Sequence, residues 1–329
     1  MRMKAGGPRG LARRMTVSRP YAGLPVRLLI RHTPRALTAS FLARRKPIKT
    51  YGTMGDLEVR LARSARDIRK SQRLRYKVFY EEMAAVPNPV AAFKRRDEDA
   101  YDPICDHLLV LERPKPQSKR RRWRRRPRVV GTYRVLRQEI AEAHDGFYTQ
   151  GEYDIAPLIA AKSPDYSFME LGRSCVLKPY RNKRTIELLW HGLWTYVREH
   201  GIDVMIGCAS FEGTDPKAHA NALSFLYHHA LAPPEWRVKA HAGLYTKMDL
   251  IAKEKLDAKA ALKALPPLIK GYLRLGAFVG DGAVVDRQFG TVDVCIILPV
   301  ERIDPRYFAH FGAPDELTSR IAPEAKGVM

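Results

Sequence analysis

The sequence predicts an α/β fold, a mixed β-sheet covered by helices, and three observations lead there. Strand-period and helix-period runs alternate through the second half of the chain, the pattern of a sheet layered with helices. The run Met169–Val176 reads as a strand that turns through Lys178, Arg181, Lys183 and Arg184 into an amphipathic helix. With 45% hydrophobic residues in 329, the chain can bury a sizeable core.

Residues 57–62 alternate apolar and polar, the period of a strand. Ser64, with Asp67 three residues on, predicts a capped helix to about Met83, broken by Pro87-Asn88-Pro89. His107–Glu112 and Val129–Arg137 read as strands flanking a long loop, and Ser167–Leu177 as another strand. The helix over Thr185–His200 sets Ile186, Leu189, Trp190, Leu193 and Val197 on one face, with Gly201 as its stop. Asp203–Ser210 is short and mostly apolar, as a central strand would be. Asp215-Pro216 forms an N-cap and N1 pair for a second helix ending at Pro233-Pro234. Strands are expected near 243–251 and 292–300, and a helix near 267–275. Gly276–Gly282 is glycine-rich but has no Rossmann context, so a turn is expected there.

The net charge of +23 is confined to two segments. Residues 1–50 hold thirteen Lys/Arg and residues 113–128 hold ten, with no acid in either, leaving 35 basic against 35 acidic residues elsewhere. Like-charge blocks of this kind are solvated interaction tails. The division is therefore a basic, disordered tail (1–50), a folded body (51–303) with the basic loop 113–128 between two strands, and a C-terminal tail (304–329). Trp123 is the one aromatic in the basic loop, which makes a base-stacking surface and a nucleic-acid partner a poor fit. Cys105, Cys175, Cys208 and Cys295 have no paired spacing, against both a zinc site and a disulfide framework, and a reducing cytosol suits them. His228-His229 cannot share a helix face, so no metal is expected. No apolar run approaches the ~18 residues of a membrane span, and no clean export signal is present.

Four short pieces in order carry a resemblance: Arg75-Tyr-Lys-Val-Phe79, Asp99-Ala-Tyr-Asp102, Gly131-Thr-Tyr-Arg134 and Glu170-Leu-Gly-Arg173. They look like the autoinducer synthase pattern, and with the element order the chain resembles the acyl-carrier-protein branch of the GNAT acyltransferases. Leu265–Gly276 is similar to the hemolysin-like GNAT proteins that include ornithine N-acyltransferases. The resemblance implies a sheet splayed at its middle strands. It also implies transfer of a 3-hydroxyacyl group from acyl carrier protein to the α-amine of ornithine, giving a lyso-ornithine lipid. No cofactor is then bound, because the carrier delivers the phosphopantetheine thioester. Where acetyl-CoA-dependent relatives have a glycine-rich pyrophosphate loop, this chain has Arg181-Asn-Lys-Arg-Thr185, which suits the single phosphodiester of a carrier.

Roles follow for individual residues. Glu170 is the candidate base for the amine proton, and Arg173 orients a carboxylate; a structural ion pair across the sheet is the competing reading. Three apart on a strand, they share a face only if a bulge intervenes. Asp99 and Asp102 bind the cationic end of the acceptor or lock the N-terminal lobe through Arg75 or Arg134; loop capping is the alternative. Arg75 lies on a mostly polar helical stretch, where a solvated face is the plain reading, but its match to the Arg75–Phe79 piece favours a substrate-binding role. Lys178, Arg181, Lys183 and Arg184 precede a helix N-terminus, which already disfavours cations, and so suggest a bound phosphate. Ser210 is a candidate contact for the thioester carbonyl. The resemblance implies Tyr227 as acid for the leaving thiolate, against ordinary helix packing. The basic 113–128 loop and the 178–184 turn would dock an acidic carrier, and the basic N-terminal tail would hold the enzyme peripherally at the inner face of the cytoplasmic membrane. An acyl-homoserine-lactone synthase, another N-acyl amino acid synthase or a nucleic-acid-binding protein are the other accounts.

Overall fold

The strands in chain order are β1 (Gly52–Met54), β2 (Leu57–Leu61), β3 (Asp106–Glu112), β4 (Arg128–Arg137), β5 (Tyr153–Asp154), β6 (Phe168–Val176), β7 (Val204–Glu212), β8 (Lys239–Ala240), β9 (Tyr245–Thr246), β10 (Phe278–Asp286) and β11 (Thr291–Pro299). In the computed structural model, which describes residues 50–83, 85–114 and 127–310, they form one mixed sheet. Its order is β1-β2-β3-β4-β6-β7-β11-β10-β8-β5, with β9 on β10. From β1 to β10 along that path every pairing is antiparallel except β6 with β7. The expected α/β class and mixed sheet are present. Most of the basic tail, residues 115–126 of the basic loop and residues 311–329 lie outside the described residues.

Helix α1 (Ala65–Tyr76) starts at Ser64, whose hydroxyl accepts the Asp67 N–H, and continues as a π-helical segment, Lys77–Glu82. The Pro87-Asn88-Pro89 run that breaks it also opens α2 (Pro89–Lys94). Asn88 caps the Ala91 N–H, and Pro89 sits where no N–H is needed. Helices α3 (Gln138–Glu142) and α4 (Ala156–Lys162) precede β6, and α5 (Lys183–His200) follows it. Then come α6 (Ala220–Ala230), α7 (Ala258–Ala264), α8 (Pro267–Arg274) and α9 (Pro305–His310). Among the described residues no helix is long and apolar enough to cross a membrane.

Alternation along β4 sorts the two faces of the sheet. Tyr133 points toward α8, where its hydroxyl meets that of Tyr272. Thr132 and Arg134 point the other way, to Ser71 on α1 and to Asp99. Helix α5 lies on the Tyr133 side, with Gly192 so close to Val59 that an added Cβ would stand 2.5 Å from its methyl. The buried stripe of α5 is Leu188, Leu189, Gly192, Leu193, Tyr196 and Val197. Ile186, expected on that stripe, lies in the first turn and is 41% exposed.

Two further expectations are corrected. The strand near 243–251 amounts to Tyr245–Thr246. The glycine-rich run from 276 is not a turn but leads into β10, whose register shifts between Val279 and Ala283. Gly282 is there because β9 pairs closely alongside: a Cβ on it, at a φ of +89°, would stand 2.4 Å from the Tyr245 ring.

The middle of the sheet opens. β6 and β7 pair only over Phe168–Val204, Met169–Met205 and Glu170–Ile206. Beyond that point β6 stays with β4 to Val176, while β7 stays with β11 to Glu212. At the pivot the Leu171 carbonyl oxygen lies 2.2 Å from where a Gly207 Cβ would be, so only glycine fits.

Candidate active site

A bulge on β6 builds the site. Arg134 pairs with Gly172 and Thr132 with Cys175, so Arg173 and Ser174 together oppose Tyr133, and Arg173 has φ +50°. The extra residue turns Arg173 onto the face that already carries Glu170 and Arg134. The bulge is what lets residues three apart on β6 share one face.

On that face three arginines and three aspartates alternate. Arg75 grips Asp102 with both terminal nitrogens at 2.7 and 2.8 Å, and its Nε pairs with Asp97 at 2.8 Å. Arg134 donates to Asp99 at 2.6 Å and to Asp102 at 3.2 Å. Arg173 pairs with Asp97 at 3.2 Å and Asp99 at 3.1 Å. Burial alone would raise the Asp99 and Asp102 carboxyls, but the guanidinium groups outweigh it and hold both low. The five residues Arg75, Asp99, Asp102, Arg134 and Arg173 are thus brought together, with Asp97 completing the charge balance. Arg75 is fully buried rather than on a solvated face, because Asp97 and Asp102 neutralise it there. Asp99 is the open end, with its side chain 22% exposed against 3% for Asp102. The Arg173 guanidinium carbon lies 4.8 Å from the Tyr148 ring centre and 4.6 Å from that of Phe289.

Glu170 sits beside this network, at the last paired position before the strands part. The N–H groups of Tyr148 and Thr149 donate to its two oxygens at 3.1 and 2.6 Å. Burial raises its carboxyl above the ordinary glutamate value, and the two N–H bonds and Arg134 offset only part of that. A carboxylate in this state is a better proton acceptor than an exposed one.

Across the opening lies a cluster that sequence reasoning missed. Glu152, Asp286 and Asp293 each bring an oxygen to within 4.8 Å of the others. Burial, then mutual charge, pushes the carboxyls of Glu152 and Asp293 up. Ser210, paired opposite Asp293, is exposed in the middle of β7 because β6 has moved away. Cys208, on the same face of β7, carries a thiol that burial and the neighbouring Glu152 push well up. It therefore lacks the thiolate character of a nucleophile. Asp293 left one signal in the sequence, a lone charge in the apolar run 291–299, and Asp97 lay in the dense acidic run before Tyr101. Glu152, Asp286 and Tyr148 left none, being ordinary loop and strand-end residues.

The cationic turn is arranged differently from an open phosphate cradle. Arg181 donates to Glu82 at 2.6 Å and to the Val176 carbonyl at 2.8 Å, and Arg184 pairs with Asp56 at 2.8 Å. Both remain more than 40% exposed, Lys183 is 84% exposed beside Glu187, and Lys178 is exposed. Asn182 caps α5 by accepting the Thr185 N–H. The Arg128 root of the basic loop reaches this turn, its guanidinium 5.8 Å from the Tyr180 ring centre. Tyr227 stands apart: its ring meets His228 edge-on at 5.3 Å, and none of its described contacts reaches the charge network or the carboxylates.

Comparison with known proteins follows the same lines. A family model described as "Acetyltransferase (GNAT) domain" matches residues 74–191. An L-ornithine N(alpha)-acyltransferase of Agrobacterium fabrum is 53% identical over 266 residues, covering 81% of this chain and 88% of its own length. The protein of that name from Rhodobacter capsulatus is 43% identical over 250 residues, covering 76% and 92%. Among solved structures, FeeM, an N-acyl amino acid synthase from uncultured soil microbes, superposes with a TM-score of 0.42 at 10% identity, covering 74% of this chain and 91% of that one. The CoA-dependent acyl-homoserine lactone synthase MesI gives a TM-score of 0.40 at 12% identity, covering 82% and 100%.

Proposed function

The chain belongs to the family of the L-ornithine N(alpha)-acyltransferases, enzymes of the GNAT fold, and from this we infer that it moves a 3-hydroxyacyl group from acyl carrier protein to the α-amine of ornithine, giving a lyso-ornithine lipid. The observation that carries the reading is the parting of β6 from β7 directly beyond Glu170 and Ile206. An extended pantetheine arm fits between two such strands by pairing with their freed N–H and C=O groups. The thioester carbonyl then lies beside Glu170 on one wall and Ser210 on the other.

The reaction is direct attack. The α-amine nitrogen forms a bond to the thioester carbonyl carbon, and the oxyanion is held by the N–H groups that the parted strands leave unpaired. The C–S bond then breaks, the amine proton passes to Glu170, and the departing thiolate takes up a proton to leave as the carrier's thiol. No acyl-enzyme is needed, and the elevated Cys208 thiol does not favour one. Tyr227, the acid the resemblance implies, is the candidate source of the proton that the thiolate takes up. Asp99 and Arg173, at the open end of the charge network, are placed to orient the amino acid.

The carrier is assigned as donor on electrostatics. Carrier proteins are acidic, and Lys178, Lys183, the half-exposed Arg181 and Arg184, and the root of the basic loop gather at the end of the sheet where β6 finishes and β4 begins. With equal concentrations of a 3-hydroxyacyl carrier protein and the same acyl group on coenzyme A, transfer to ornithine is expected mainly from the carrier. It should weaken steeply as salt rises. Faster transfer from coenzyme A, or no salt effect, would contradict this donor assignment.

Peripheral association with an anionic membrane is supported by Val86, Val90 and Phe93, which are 63%, 59% and 91% exposed around α2. Lys94 and Arg95 follow them directly. Apolar side chains beside cations are the makings of an interfacial anchor. Phe93→Glu is expected to lower flotation of the protein with anionic vesicles while leaving transfer between soluble substrates intact. Undiminished flotation would place the membrane contact elsewhere.

A further inference from the structure

The mechanism leaves the three carboxylates of Glu152, Asp286 and Asp293 without a task, although they face the same opening. We propose that they form the pocket for the side-chain ammonium of the acceptor, so that the enzyme selects amino acids carrying a second, distal amine. This rests on the ornithine reading above and adds the residues that make the choice.

Four observations carry it. First, the cluster is drawn from separated elements, the 148–152 turn, the end of β10 and the middle of β11, yet its oxygens converge within 4.8 Å. Second, two buried oxygens of the cluster lack donors. Asp293 is only 5% exposed, and its Oδ1 and Oε2 of Glu152 have no hydrogen-bond partner. A buried acceptor left unpaired costs about 1–3 kcal/mol, so the pair calls for a donor that arrives with the substrate. A primary ammonium brings three N–H groups and one positive charge.

Third, the charge fits a monocation. Arg173 is the cation that acts on both Glu152 and Asp293, and it is already engaged by Asp97 and Asp99. Burial first, and then the charge of the neighbouring carboxylates, pushes the carboxyls of Glu152 and Asp293 up, and a cation brought among them would offset both. Fourth, the geometry separates the two ends of the acceptor. Glu170 lies at the pivot on β6, whereas Asp293 lies beyond it, opposite Ser210 on β7. An acceptor whose distal amine is held at Asp293 presents its α-amine toward Glu170.

The test uses the full-length chain with a 3-hydroxyacyl carrier protein and two acceptors, ornithine and 2-aminopentanoate, which has the same carbon chain without the distal amine. Wild type is expected to favour ornithine in kcat/KM by on the order of 1,000-fold or more, as sites built around a hydrogen-bonding group do. Asp293→Asn is expected to cut that ratio by about 10- to 150-fold, through ornithine alone and through KM more than kcat. If Asp293→Asn does not fold, Asp286→Asn serves. Its amide oxygen can keep the Oδ1 bonds from the Gln288 and Phe289 N–H groups while losing the charge.

Three results would overturn the proposal. Wild type could treat the two acceptors alike within tenfold, a folded variant could keep the full preference, or selectivity could vanish with EDTA and return with a divalent metal, making the cluster a metal site. Failure of wild type to acylate ornithine at all would instead sink the ornithine reading, and this inference with it.

Discussion

Asp102→Ala is expected to cost the folded protein about 3–5 kcal/mol, because it leaves the buried charge of Arg75 with Asp97, already shared with Arg173, as its remaining carboxylate. Arg75 is fully buried and takes both oxygens of Asp102, which also accepts from Gln72 at 2.9 Å and from Arg134 at 3.2 Å. One substitution therefore strips three donors at once. The loss is read as a fall in the urea midpoint with the slope unchanged. Asp99→Asn, at the more exposed end, is expected to lower the midpoint less than Asp102→Ala and to raise the KM for ornithine with little change in kcat. If Asp102→Ala unfolds at the wild-type midpoint, the network does not hold the α1 lobe to the sheet. The same pairs set the acid limit. The Asp99 and Asp102 carboxyls are held below their unfolded values, so their stabilisation is complete above about pH 4. It is lost as pH falls from there toward the depressed values.

Glu170→Gln is expected to lower kcat by about 100- to 10,000-fold, the usual worth of a positioned general base. The amide keeps the size of the side chain and one acceptor for the Tyr148 and Thr149 N–H groups, so the fold should survive with a modest loss of stability. A pH profile separates base from scaffold. The Glu170 carboxyl is raised by burial, so wild-type kcat should fall on the acid side with an apparent pKa above that of an ordinary glutamate. That limb should be missing from the variant. Turnover at the wild-type level would remove Glu170 as base and leave it as the residue that fixes the 148–151 turn.

The parts of this molecule that local chemistry controls were legible in the sequence. Alternating and short apolar runs located β2, β3, β4, β6, β7 and β11, and Ser64, Gly201 and Asp215 marked helix ends where the structure has them. Short motifs marked Arg75, Asp99, Asp102, Arg134 and Arg173 before any contact among them was visible. What failed depended on tertiary contact. Arg75 looked solvated because its helix is polar, and only Asp97 and Asp102, brought in by a later loop, make its burial tolerable. The glycines of β10 looked like a turn because the side chains that need the space come from elsewhere in the fold, Val238 and Cys295 at Gly280 and the Tyr245 ring of β9 at Gly282. Glu152 and Asp286 were invisible as a pair because their meeting depends on how the 148–152 turn folds over β10 and β11.

The central claim is that the gap between β6 and β7 receives the thioester arm beside Glu170. A structure of the full chain with carrier protein bearing an unreactive amide in place of the thioester, together with ornithine, measures this directly. The account predicts the amide carbonyl between residues 171–175 and 207–210, with the α-nitrogen on the Glu170 side. An arm lying on any other surface, with the strands closed over the gap, would contradict it.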